Sequence, residues 1–116
     1  MAYTSQIRIR DEDRKNRCTR LDIDMLKKIK MIAVEQDTSY NFLLEDGMRH
    51  TLEKFKGRHN VVIVKSNNRK TVNTTFSDDL YSRVKVRAER LGVKTNDLIE
   101  EGMRYIIGRN TKKDTE

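Results

Sequence analysis

Glu45-Asp46-Gly47-Met48-Arg49-His50 and Glu100-Glu101-Gly102-Met103-Arg104-Tyr105 are two versions of one segment, 55 positions apart. The match continues outward from them without a gap. Asn41 and Leu43 fall on Asn96 and Leu98, Ala33 on Ala88, Asp24 on Asp79, Thr19 on Thr74, and Arg14-Lys15 on Arg69-Lys70. Where identity is lost the type persists: Ile29 with Val84, Leu21 with Phe76, Ile7 with Val62. A period this long marks a duplicated folding unit. Two copies are too few for a solenoid. The expectation is a pseudo-twofold molecule, with residues 1–55 as the first repeat, 56–110 as the second and 111–116 as a frayed tail. Each half holds few bulky apolar residues and would bury a marginal core alone. The halves are therefore expected to cover each other, or to be covered by another chain.

Each half reads as strand, turn, strand, helix, helix. Gln6-Ile7-Arg8-Ile9-Arg10 alternates polar and apolar residues, the period of a half-buried strand, while Val61-Val62-Ile63-Val64-Lys65 is apolar almost throughout. The second strand is Arg17-Cys18-Thr19-Arg20-Leu21 in one copy and Val72-Asn73-Thr74-Thr75-Phe76 in the other. Leu21 and Phe76 are its clearest inward positions. Alternation then turns Asn16, Cys18 and Arg20, and Thr71, Asn73 and Thr75, outward. Arg17 on the inward side is awkward and leaves the register of the first copy open, since a one-residue slip exchanges the faces.

A first helix is expected to start near Asp24 and Asp78, where aspartate and Ser77 supply cap chemistry. Gly92 suits a left-handed helix end, and Asp37 takes its place in the first copy. The second helix follows Ser39, and Lys94 or Thr95. Its internal glycine, Gly47 or Gly102, costs about 1 kcal/mol relative to alanine. Its presence in both copies points to a close helix crossing.

The strand-helix-helix order is carried by Val72-Asn73-Thr74-Thr75-Phe76-Ser77-Asp78-Asp79-Leu80 and by Leu91-Gly92-Val93-Lys94-Thr95-Asn96-Asp97-Leu98-Ile99-Glu100-Glu101-Gly102. It resembles the ribbon-helix-helix (MetJ/Arc/CopG) superfamily of DNA-binding proteins over residues 16–55 and 71–108. The tandem arrangement is similar to that of TraY-type accessory proteins of conjugative plasmids. The fold class implied is α+β and mostly helical: two ribbon-helix-helix units in one chain, each preceded by an extra short strand. The resemblance implies that strands of two units pair as an antiparallel ribbon in the DNA major groove. Asn16, Cys18, Arg20, Thr71, Asn73 and Thr75 would then face base edges. The side-chain types suit base reading, since Arg can hold guanine and Asn adenine in bidentate fashion, and Thr packs on a thymine methyl. The resemblance also implies phosphate contacts at the start of the second helix, at Ser39, Tyr40, Lys94 and Thr95, where free N–H groups and the helix dipole favour anions. Plain N-capping explains those residues equally well. Arg14, Lys15, Arg69 and Lys70 beside the ribbon are read as further phosphate contacts, against the plainer reading of a solvated turn.

Composition agrees with a polyanionic partner. The chain has 116 residues, a net charge of +7 and a stretch from residue 54 to 77 without any acidic residue. A single cysteine excludes an internal disulfide and suggests the cytoplasm. His50 and His59 lack ligand-like companions, so neither metal nor cofactor is expected. There is no apolar membrane span, and residues 1–10 lack the apolar centre of a signal peptide. No catalytic constellation is visible, and an enzyme is not expected. The function expected is sequence-specific binding of double-stranded DNA, as a transcriptional repressor or as an accessory protein marking DNA for a relaxase. Self-association on DNA and a relaxase or other DNA-processing protein are the further partners. The alternative is an antitoxin-type protein-interaction module, disfavoured by the eight residues after Gly108.

Overall fold

In a computed structural model, which describes residues 13–59 and 61–115, the chain forms an α+β fold of two strands and four helices. The order is β1 (Arg14–Asp22), α1 (Ile23–Glu35), α2 (Tyr40–Lys54), β2 (Arg69–Ser77), α3 (Asp78–Leu91) and α4 (Thr95–Thr115). Strand, helix and helix thus occur twice, with equivalent bounds at the strands. Both strands are longer than the residue pattern suggests: each begins earlier, at Arg14 or Arg69, and ends later, at Asp22 or Ser77.

β1 and β2 pair antiparallel, with Cys18 opposite Asn73 at the centre and Arg14 opposite Ser77 at one end. Cys18 and Asn73 are equivalent residues of the two copies. A residue can meet its own counterpart only on the axis that relates the halves. Three more such meetings trace that axis through the molecule. The hydroxyls of Thr19 and Thr74 lie 2.8 Å apart beneath the ribbon. The backbones of Gly47 and Gly102 touch where α2 crosses α4. At the far end His50 and Tyr105 stack with ring centroids 3.6 Å apart and planes 6° from parallel.

Local sequence sets the helix ends symmetrically. Asp22 accepts from the Met25 N–H at 2.9 Å to cap α1, and Ser77 accepts from the Leu80 N–H at 3.3 Å to cap α3. Asp37 and Gly92 both adopt positive φ, 55° and 77°. Just after the first helix of each half, Thr38 donates to the Ala33 carbonyl and Val93 to that of Ala88. One apolar cluster then joins the halves: Leu21, Leu26, Ile29, Leu44 and Met48 from the first, Phe76, Val84, Leu98, Met103 and Ile106 from the second.

One expectation fails among the described residues. Residues 61–65 form no strand: the sheet contains β1 and β2 alone. Ile63 is buried in the core and Val61 packs against it, while Val62 and Val64 stand exposed at 99% and 70%, so the apolar run follows the surface instead of joining a ladder. Its counterpart at residues 6–10 lies outside the described residues. Residues 111–115 continue the backbone of α4 as helix.

Candidate nucleic-acid interface

The six residues expected on the outer face of the ribbon are brought together. Asn16 lies opposite Thr75, Cys18 opposite Asn73 and Arg20 opposite Thr71, so they form three cross-strand pairs on one face. Five are exposed and Thr75 is half-buried. Beneath them Thr19, Leu21, Thr74 and Phe76 are buried, which fixes the register left open by Arg17. Arg17 itself is accommodated at the edge, where its guanidinium pairs with Asp78 and lies 4.0 Å from the Tyr81 ring centre. The face is lightly knitted: Thr75 donates to Asn16 Oδ1 at 2.7 Å, and the Cys18 thiol donates weakly to Asn73 Oδ1 at 3.5 Å. Cys18 is thus an exposed thiol, not a buried apolar filler.

The charged residues flanking the ribbon divide into two kinds. Lys15 and Lys70 are exposed beside it. Arg14 and Arg69 instead turn into the protein, and the expectation that they hold phosphates needs correcting. Arg14 pairs with Glu45 at 3.1 Å, donates to the Thr75 carbonyl and lies 4.9 Å from the Phe42 ring centre. Arg69 pairs with Glu100 at 2.6 Å and with Asp97 at 2.7 Å. Glu45, Asp97 and Glu100 are buried, and turning either guanidinium outward would leave a buried carboxylate uncompensated.

Those glutamates also accept from the backbone. Glu45 accepts from the Ser77 N–H, and Glu100 accepts from the Asp22 N–H, both at 2.8 Å. Each glutamate therefore joins an arginine of its own half's strand to the end of the opposite strand. Hydrogen bonding to Glu100, against the effect of burial, raises the Arg69 guanidinium above its ordinary range. Burial alone would raise the Asp97 carboxyl, but hydrogen bonds from Arg69 and the Lys94 N–H, with the charge of Lys65, hold it below the usual value. The residue pattern contains the signal: Arg14 and Glu45 recur together as Arg69 and Glu100 at the same spacing.

Asn41 and Asn96 are a second pair that the sequence reading leaves out of the site, although they match across the repeat. Asn41 Oδ1 accepts from the Thr75 N–H at 3.0 Å, and Asn96 donates to the Arg20 carbonyl at 2.9 Å. They attach the first turns of α2 and α4 to the ribbon edges, which brings Ser39, Tyr40, Lys94 and Thr95 beside it. Ser39 caps α2 through the Asn41 N–H at 3.1 Å. The Tyr40 hydroxyl donates to the Asn73 carbonyl at 2.7 Å, with Lys30 Nζ 5.0 Å from its ring centre. Lys94 is exposed, but its N–H is already bonded to Asp97 at 3.0 Å. Thr95 opens α4 and is half-buried.

Among the described residues no group of three or more His, Cys, Asp or Glu could hold a metal ion, and no helix is long and apolar enough to cross a membrane. In comparisons with known proteins no family model matches this chain, and no curated protein or solved structure is significantly similar to it.

Proposed function

We propose that this protein binds double-stranded DNA in a sequence-specific manner by inserting the β1–β2 ribbon into the major groove, as a ribbon-helix-helix protein with two units in one chain. The observation that carries this reading is the outward face of three polar cross-strand pairs, Asn16–Thr75, Cys18–Asn73 and Arg20–Thr71. A two-stranded ribbon has the width of the major groove, and Arg, Asn and Thr are among the side chains that discriminate base edges there. Nine residues per strand give a ribbon on the order of 30 Å long, comparable to one turn of duplex. Exposed Lys15, Lys70 and Lys94 and the helix start at Tyr40 would meet phosphates on either side. Such binding serves a transcriptional regulator or an accessory protein of plasmid transfer equally. Selection of bound duplexes from a random pool, followed by footprinting, tests the reading. A recovered site protected in the major groove supports it. Equal recovery of all sequences contradicts it.

A further inference from the structure

A groove of about 730 Å³ runs between α2 and α3, away from the outward ribbon face. Its walls carry five cationic side chains, Arg49, Lys56, Arg83, Arg87 and Arg90, against the carboxylates of Glu53 and Asp79. Arg83 is paired with Asp79 at 3.1 Å, and Arg87 donates to the Leu52 carbonyl at 2.7 Å, so part of this array is held in place. Arg90 and Lys56 are exposed at its margin. Apolar surface lies among the charges, with Leu52 half-buried and Val86 54% exposed.

The duplication supplies an internal control. The symmetry-related helix pair is α4 with α1, where Arg87 is replaced by Ile32, Arg90 by Glu35 and Lys56 by Thr111. Over the equivalent positions its cations and carboxylates are equal in number, three of each. The fold therefore does not require the basic excess. From this we infer that the groove docks a segment of another protein rich in Asp and Glu and carrying apolar side chains among them. Arginines grip carboxylates in bidentate fashion, and Leu52 and Val86 would bury the apolar side chains. A phosphate backbone would leave both apolar residues uncovered. The inference does not depend on the ribbon reading bases.

Fluorescence anisotropy at physiological salt tests it, with a labelled short peptide of Glu and Asp bearing Leu at every fourth position. Binding should fall by roughly tenfold or more with Lys56→Glu/Arg90→Glu, and less with Arg90→Gln. Lys27→Glu/Lys28→Glu, an equal charge change on the symmetry-related helix pair, should alter it by less than about threefold. Circular dichroism and thermal melting check that each variant folds. The peptide with Gln and Asn for its acids should not bind. The inference is overturned by no binding to the unaltered protein, by equal losses in the two double variants, or by undiminished binding of the amide peptide. Displacement of the peptide by inorganic phosphate or a scrambled duplex more readily than by unlabelled peptide would also overturn it and make the groove a phosphate site.

Discussion

Glu100 is fully buried, pairs with Arg69 and accepts from the Asp22 N–H, so its loss strands the guanidinium and the amide together. Removing one member of a buried pair typically costs about 3–5 kcal/mol. Glu100→Ala should lower the free energy of urea unfolding by that amount, and Glu100→Gln, which keeps an acceptor for both donors, should lose less. If the two variants lose equally, these hydrogen bonds are not the source of the loss. The exposed residues of the ribbon should behave differently. Asn73→Ala or Arg20→Ala should leave stability nearly unchanged, cost about 1–3 kcal/mol in binding to the selected duplex and relax preference at one position. Lys70→Ala should weaken specific and scrambled duplexes alike and reduce the salt slope by about one. Titrations at several salt concentrations separate the two. An unchanged ratio of specific to scrambled affinity in both Asn73→Ala and Arg20→Ala would remove base reading from the ribbon.

At the scale of elements the crossing of α2 and α4 is decisive. A Cβ on Gly47 would stand 2.7 Å from the Gly102 carbonyl carbon, and one on Gly102 2.5 Å from that of Gly47. Alanine gains about 1 kcal/mol in helix propensity but forces two backbones apart. Gly47→Ala or Gly102→Ala should therefore lose about 1–3 kcal/mol net in thermal or urea unfolding. The double variant should lose less than the sum, because the first substitution has already spread the helices. Full additivity would mean that the glycines act independently. This crossing is legible in the residues, since a helix-breaking residue recurring at the same place in both copies has few other causes. So are the caps at Ser77 and Ser39, though not the one at Asp22, the helix ends at Asp37 and Gly92, and the outward row of the ribbon. The strand expected at residues 61–65 is absent because β-branched composition does not supply a hydrogen-bonding neighbour. Arg14 and Arg69 escape the residue pattern because position in a basic stretch does not reveal which way a long side chain turns. The carboxylates that capture them lie 31 positions further along the chain in both copies.

Taken whole, the molecule has one core built from both halves, so unfolding should be a single transition and an isolated half should not fold stably. Its pH dependence should show the far end of the axis. Burial, then the charges of Lys54 and Arg109, lowers the His50 imidazole from its ordinary 6.5. The unfolded chain therefore takes up that proton first, and stability should fall as pH drops below about 6.5. Melting temperatures between pH 7 and 5 should show this decline, and His50→Phe, which keeps a ring on Tyr105, should flatten it. The lowered carboxyl of Asp97 acts in the same direction but only below its ordinary 3.8, a separate and more acidic window. An unaltered slope in His50→Phe would assign the effect elsewhere. The two halves of the ribbon face also differ, Asn16, Cys18 and Arg20 against Thr75, Asn73 and Thr71. The preferred duplex should accordingly contain two unlike half-sites. A strictly palindromic optimum would contradict recognition by a single chain.

The pairing of β1 with β2 inside one polypeptide has a consequence for mixed populations. A ribbon assembled from two separate chains can exchange subunits, so a defective copy poisons its normal sibling, and dilution dissolves the pair. Here each molecule carries both strands permanently. Occupancy of a target should rise hyperbolically with protein concentration, with no lag at low abundance. A damaged copy expressed beside an intact one should compete for DNA at most, without disabling it from within.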